Sequence, residues 1–249
     1  MKTFLLVLLV SASNLLFAGD LRDVGSLDFE NSGGEAAQPH FLRGVGFLHS
    51  FGWKQAIREF KKAQQADPDF ALAYWGESLC YNHPLISEWD RQTPIAILQR
   101  LGSTPEQRLV KANTQREQGF IRAVEALFNG PGDISQRRIA YKDAMQTLYA
   151  QFPDDDEVAA FYALSLLSAA RASGDDLMKM NILAGSIATR LFNKNNNHPG
   201  AAHYVIHSFD DPLHAPLALE AAQKFARISP AVSHARHMPT HIFIQHGMW

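Results

Sequence analysis

The sequence predicts an all-α fold built from antiparallel helix pairs, and three observations carry that prediction. Ala, Leu, Gln and Arg are plentiful while long runs of Val, Ile and Thr are absent, a composition that favours helices over strands. Breakers rich in Gly, Pro and Asn recur between helical segments, as in NGPG at residues 129–132. Small and large apolar residues also recur at a fixed period from Ala37 onward.

That period is 34 residues when Pro68 is set at position 32 of a unit that begins at Ala37. Gly44 then falls at position 8, Phe47 at 11 and Phe60 at 24. Small residues at such positions let the two helices of a pair approach closely, and large ones fill the space between them. The pattern resembles the tetratricopeptide repeat (TPR). The resemblance implies a right-handed superhelix of antiparallel helix pairs.

Further units and breaks follow along the chain. A second unit starts at Ala71, and Pro84 and Pro94 then mark an irregular insertion that reaches about residue 104. Helices are predicted over residues 105–128, 135–151, 156–172 and 175–193, with a loop at 194–197. Pro199 suits the first turn of another helix, with His198 as its cap. A last unit begins at Ser233.

The chain divides into three parts. Lys2, the apolar run over residues 4–10 and the small Ala18 predict a secretory signal peptide over residues 1–18, and hence a periplasmic or secreted protein. Residues 19–36 are polar and contain Gly, which predicts a flexible N-terminal linker. Residues 37–249 form the TPR-like repeat domain. Because residues 246–249 parallel the turn that precedes Trp53, we expect this domain to be truncated at its C-terminus.

Charge and cysteine content exclude several classes of partner and site. The net charge of −2 argues against nucleic acid or an anionic membrane as a partner. Once the signal peptide is removed, no segment is apolar enough to span a membrane. The single cysteine, Cys80, cannot form an intramolecular disulfide. The sequence also contains no Gly-rich phosphate loop, no serine nucleophile elbow and no His-Glu-x-x-His motif.

Histidines concentrate at the end of the chain, where residues 198–249 contain eight of the 11. Two His-x-x-x-His pairs, His203/His207 and His237/His241, lie 34 residues apart and therefore occupy the same repeat positions, 5 and 9. His234 falls at position 2. Positions 2, 5 and 9 lie within about 60° of one another on a helix, so they share one face. The TPR resemblance implies that this face lines a concave groove.

Imidazoles one helical turn apart have the spacing that chelates a transition metal. Neutral imidazole suits zinc, copper, iron or nickel, and ligand type does not choose among them. Candidate ligands or completing partners are His203, His207, His237, His241, His198, His234, Asp210 and Asp211. His49 and His83, also 34 residues apart, are possible groove residues. Pro239 is expected to kink the helix between His237 and His241 and to weaken that pair.

The sequence is compatible with three functions. The motifs AYWG…NHP (73–84), HPGAAHYVIH (198–207) and HMPTHI (237–242) resemble a histidine-bearing group of secreted bacterial TPR proteins, which implies fold and export but no activity. The first function is an exported protein that holds a metal in its groove. The second is a scaffold that binds a protein or peptide there without metal, the histidines acting as donors or as packing residues. The third is a metal-dependent enzyme, which is less favoured because no persuasive base stands out.

Overall fold

The computed structural model of the protein describes residues 23–85, 90–172 and 176–248, and the predicted signal peptide lies outside these ranges. Within them the chain forms twelve α-helices and a short 3-10 helix, without a strand. The prediction of an all-α fold is therefore confirmed. Among the helices of the described ranges, none has the length and apolarity that crossing a membrane requires.

The helices follow one another with short connections. The first six are α1 (Gln38–His49), α2 (Trp53–Ala66), α3 (Ala71–Leu79), α4 (Gln92–Leu101), α5 (Pro105–Lys111) and α6 (Gln115–Phe128). The last six are α7 (Ile134–Gln151), α8 (Asp156–Ala170), α9 (Leu177–Lys194), α10 (Pro199–Ser208), α11 (Leu219–Ile228) and α12 (Ser233–Gln245). The 3-10 helix, Ala215–Ala218, precedes α11.

The middle of the chain differs from the prediction at one point. The helix expected over residues 105–128 is two helices, α5 and α6, separated at Thr114. The Thr114 side chain accepts a hydrogen bond from the backbone N–H of Glu117, and the Glu117 carboxylate accepts one from the backbone N–H of Thr114. This reciprocal cap satisfies donors that a helix N-terminus would otherwise leave unpaired, so a new helix begins there.

Consecutive helices pack against one another, and the small and large residues of the first unit interlock as predicted. The ring of Phe60 on α2 lies between Gly44 of α1 and Gly76 of α3. A Cβ atom added to Gly44 would lie 2.9 Å from that ring, and one added to Gly76 would lie 2.3 Å from it. Because a side chain at either glycine would collide with Phe60, the close approach of these three helices depends on both.

The stretch before α1, predicted as a flexible linker, contributes to the core over its described part. Val24, Leu27 and Phe29 are buried there. The ring of Phe29 packs against Phe41 of α1 and Phe120 of α6, with centroids 5.1 and 5.3 Å away. This segment therefore covers apolar side chains of two helices that are distant in sequence.

The first helix also packs against α10, near the other end of the chain. The hydroxyl of Ser50, just after α1, lies 2.7 Å from that of Ser229, just after α11. His49 contacts Tyr204 of α10, which is 155 positions later in the chain. An array in which each repeat contacts only its neighbours would keep these helices apart. This packing brings the end of α1 into the histidine-rich part of the chain.

Candidate metal centre

Helix α10 positions the first two histidines. His198 caps the helix, because its Nδ1 atom accepts the backbone N–H of Ala201 at 3.1 Å, and Pro199 occupies the first turn. One turn apart on this helix, the rings of His203 and His207 have centroids 4.6 Å from each other. The predicted adjacency of these two imidazoles is therefore present in the structure.

A backbone carbonyl determines which nitrogen of His203 carries its proton. The Nδ1 atom lies 2.6 Å from the carbonyl oxygen of His49. A carbonyl oxygen only accepts hydrogen bonds, so Nδ1 is the protonated nitrogen and donates to it. The lone pair is consequently on Nε2, which lies 3.0 Å from Nε2 of His234 on α12. Histidine ligands of metals are commonly held by a carbonyl in this way.

The nitrogens of His203, His207 and His234 converge, and we call these three residues the histidine triad. One ring nitrogen from each lies within 4.8 Å of the other two. Two nitrogens bound to one tetrahedral zinc ion are about 3.3 Å apart, given Zn–N bonds of 2.0–2.1 Å. A modest side-chain rotation would therefore bring all three onto one ion. In the described part of the chain, the buried Nε2 atom of His207 has no hydrogen-bond partner.

The surroundings keep the triad neutral. Burial lowers the pKa of His203 well below its ordinary value, and the nearby His207 and His234 lower it further. Burial also lowers the pKa of His207 well below the ordinary value. For His234, burial together with His237 and His241 lowers the pKa to about 4. The triad is thus unprotonated near neutral pH, which is the state that binds a metal.

The second predicted pair adjoins the triad. The Nε2 atoms of His237 and His241 lie 3.0 Å apart, and the His234 and His237 ring centroids are 6.2 Å apart. Nδ1 of His241 donates to Asp210 at 2.8 Å, which leaves its Nε2 atom towards His237. Helix α12 continues through Pro239 and the two rings remain together. The predicted weakening of this pair is therefore not observed.

A pocket of about 300 Å³ opens beside these imidazoles. One part of its wall is aromatic or apolar and the other carries histidines and two opposite charges. The lining residues are Phe51, Trp53, His83, Pro84, Leu85, Arg171, His207, Asp210, His234, His237, Met238 and His241. A concave space of this size with few convergent polar groups is typical of a small-molecule site.

Phe51 packs against the triad from a backbone conformation that is unusual for its type. Its φ angle is +58°, in the left-handed region that a bulky residue rarely occupies. Its ring centroid lies 4.4 Å from that of His203, 5.1 Å from His234 and 5.8 Å from His207. Local strain of this kind persists where surrounding contacts hold it. The turn after α1 thus forms one wall of the candidate metal site.

Replacing Phe51 by Gly is expected to destabilise the protein less than replacing it by Ala, by about 1 kcal/mol, because only Gly adopts this φ without strain. Urea unfolding of the two variants measures the difference. At Phe47, inside α1, the order should reverse, since Ala is the better helix former. A Phe51→Ala variant at least as stable as Phe51→Gly would contradict the assigned strain.

A second group of potential ligands, His49, Glu157 and His198, lies deeper in the core, fully buried. The Glu157 carboxylate accepts from Nε2 of His49 at 2.8 Å and from Nε2 of His198 at 2.9 Å. Burial alone would raise the pKa of Glu157, but the two histidines outweigh burial and hold the pKa below its ordinary value. Burial lowers the pKa of His49.

Each imidazole nitrogen of this buried group already has a partner. His198 uses Nδ1 to accept from Ala201, and Nδ1 of His49 lies 2.8 Å from the Tyr204 hydroxyl. A metal would have to displace these hydrogen bonds, whereas the triad offers a nitrogen without one. The buried group therefore acts as a structural network that joins α1, α8 and α10.

The structure sorts the predicted site residues into three places. His203, His207 and His234 form the triad, and His237 and His241 form the adjoining pair held by Asp210. His83 lines the pocket. His49, predicted as a possible groove residue, is fully buried instead. His198 lies apart from the triad, where it caps α10 and donates to Glu157 in the second group of potential ligands. Asp211 binds His214 instead of a pocket histidine.

The aromatic residues of the pocket wall and its cation are not apparent from the sequence. Phe51 and Trp53 lie in a turn without a distinctive sequence pattern, and Arg171 precedes a Ser-Gly break, so no local pattern distinguishes them.

Comparisons of this chain with protein-family models, with curated proteins and with solved structures found no match.

Proposed function

We propose that this protein binds a transition metal ion through the imidazoles of His203, His207 and His234. One observation carries the proposal: the Nε2 atom of His207 is buried without a hydrogen-bond partner in the described chain, and a ring nitrogen of His207 lies within 4.8 Å of ring nitrogens from the other two. An unpaired buried polar atom costs stability, and a bound ion would remove that cost. Export after removal of residues 1–18, and a TPR-type repeat, remain part of the proposal from the sequence.

The donor set narrows the kind of ion. Three neutral imidazoles suit zinc, copper or iron, and a tetrahedral ion would retain a fourth position. His207 and His234 both line the pocket, so that fourth position is open to a small molecule. The hydrogen bond from His203 to the His49 carbonyl would orient that ligand.

A metal-dependent enzyme is the second candidate, favoured by the same open position. Catalytic zinc sites typically have three protein ligands and one exchangeable position, whereas structural sites are closed by four. The peptide scaffold has less support, because the histidines line a pocket of small-molecule size, about 300 Å³.

Metal content tests the proposal. The purified protein, reconstituted with Zn²⁺ or Co²⁺, should bind about one ion per chain, and tetrahedral Co²⁺ should show visible absorption typical of nitrogen ligands. The double variant His203→Ala/His207→Ala should lose at least about 100-fold in affinity, since even residues that only orient a ligand affect binding 10- to 100-fold.

His214→Ala is the matched control, because His214 lies in the same histidine-rich stretch, but among the described residues its ring hydrogen-bonds to Asp211 and packs near the ring of Phe209. It should bind metal like the unmodified protein. Full metal content in the double variant would refute the triad as the site. Absence of metal from the unmodified protein after reconstitution would favour the scaffold.

A further inference from the structure

Arg171 brings a positive charge into the pocket. Its side chain lines the pocket beside His207, and none of the described carboxylates lies within ion-pair distance of it. Asp210, the acidic residue of the pocket wall, instead accepts from His241 and from Gln245, each at 2.8 Å. A guanidinium in a concave site offers several donors in a fixed fork, a geometry that matches a carboxylate.

A second guanidinium stands close to the first. Arg138 donates to the backbone carbonyl of the pocket residue His83 at 2.9 Å, while its buried Nε atom has no partner in the described chain. Burial lowers the pKa of Arg138, and the positive charge of Arg171 lowers it further. Two neighbouring cations without a described carboxylate between them produce a local positive potential, which attracts an anion.

The aromatic part of the pocket wall suits a flat apolar group. The rings of Phe51 and Trp53 stack with centroids 4.4 Å apart and planes 24° from parallel. Trp53 also stacks on His83, with centroids 5.1 Å apart. Such a continuous aromatic surface binds another ring through offset stacking and burial of apolar area.

Net charge favours a single negative charge on the ligand. The Asp210 carboxylate shares the pocket with Arg171, and it would repel a dianion such as phosphate more strongly than a monoanion. A planar carboxylate can also accept two parallel hydrogen bonds from one guanidinium.

We propose that the pocket binds a small aromatic monocarboxylate, with the carboxylate on Arg171 and the ring against Phe51 and Trp53. This inference deepens the proposed function, because the ligand would lie beside the open metal position, and it rests on that function only for the metal contact. The contacts with Arg171 and the aromatic wall do not require the ion.

Calorimetric titration of the full protein with benzoate tests this inference. Benzoate should bind, its uncharged analogue benzamide should bind about tenfold more weakly, and inorganic phosphate should bind more weakly than benzoate. Arg171→Gln should weaken benzoate binding about tenfold and leave metal content unchanged. Arg122→Gln is the matched control, because Arg122 is exposed on α6 and, among the described residues, its side chain hydrogen-bonds to Gln118 of the same helix.

The outcomes separate this inference from the metal proposal. Benzoate binding that depends on Arg171 in the metal-depleted His203→Ala/His207→Ala variant would support the anion site even if the triad bound no metal. Equal binding of benzoate and benzamide, phosphate binding as tight as benzoate, or unchanged benzoate affinity in Arg171→Gln would each overturn the inference. No benzoate binding by the unmodified protein would overturn it as well.

Discussion

Lowering the pH from about 7 to about 5 is expected to reduce the free energy of unfolding of the metal-free protein by on the order of 5 kcal/mol. The cause is a set of four histidines whose pKa values lie below the ordinary 6.5 in the folded state: His49, His203, His207 and His234. Burial is the largest contribution to each lowered pKa, because it disfavours the charged imidazolium.

The sign follows from proton binding in the two states. Below pH 6.5 the unfolded histidines take up protons, whereas the folded ones stay neutral until the pH approaches their lowered pKa values, about 4 for His234. The unfolded state therefore binds more protons, and stability falls as the pH falls. Each histidine that stays neutral at pH 5 contributes about 2 kcal/mol to this loss, so four independent groups set an upper bound of about 8 kcal/mol.

Urea unfolding of the metal-free protein at pH 7, 6 and 5 measures the effect. In a His234→Gln variant one titrating group is gone, so the slope of stability against pH should decrease by up to one proton. A free energy of unfolding that stays constant between pH 7 and 5 would show that these histidines take up protons in the folded protein as they do in the unfolded chain. That result would contradict their lowered pKa values.

Removing the Glu157 carboxylate is expected to produce the largest loss of stability among single substitutions of the buried network. In Glu157→Ala the N–H groups of His49 and His198 lose their acceptor inside the core, which costs about 3–5 kcal/mol. Asp156→Asn, next to it in the first turn of α8, is the matched control and should cost about 0.3–1 kcal/mol through the helix dipole and its exposed contact with Lys194.

Glu157→Gln should cost only about 1–2 kcal/mol, because the network can reverse one hydrogen bond. The amide oxygen would accept from His198, whose Nδ1 is committed to Ala201, and the amide N–H would donate to Nε2 of His49. His49 would then carry its proton on Nδ1 and donate to the Tyr204 hydroxyl oxygen. The Tyr204 hydroxyl hydrogen loses its acceptor in this arrangement, which accounts for the remaining cost.

Two measurements check the reversal. Chemical unfolding gives the ranking of Glu157→Ala, Glu157→Gln and Asp156→Asn, and nitrogen NMR of His49 reports which ring nitrogen carries the proton. We expect the proton on Nε2 in the unmodified protein and on Nδ1 in Glu157→Gln. A Glu157→Gln protein as unstable as Glu157→Ala, or with an unchanged His49 tautomer, would contradict the hydrogen-bond assignment.

Helix boundaries were the part of the structure most accessible from sequence, because the groups that start and stop helices are local. Pro199 after a capping His198 marks the start of α10, and the NGPG stretch at residues 129–132 separates α6 from α7. The break at Thr114 also has a local signal, a Thr followed three residues later by Glu117, which together form a helix cap. It was not predicted, because the helical pattern continues on both sides of it.

The site was predictable only as far as one helix extends. A spacing of four places His203 beside His207 and His237 beside His241, whatever the rest of the fold does. Repeat spacing predicted only that His203 and His237 occupy equivalent positions on their helices. In the structure, the residue of α12 that lies beside His203 is His234. The offset at which α10 and α12 pack determines this pairing, and the sequence of one helix alone does not predict that offset.

The sequence by itself determined an all-α chain, its main helix boundaries and a cluster of imidazoles one turn apart. Only the tertiary structure decided that α1 lies against α10. As a result, the His49 carbonyl orients His203 and the ring of Phe51 packs against the triad. It also placed Arg171 and Trp53 around the same pocket. The physical reason is that these contacts join residues far apart in the chain, and only the shared burial of apolar faces brings such residues together.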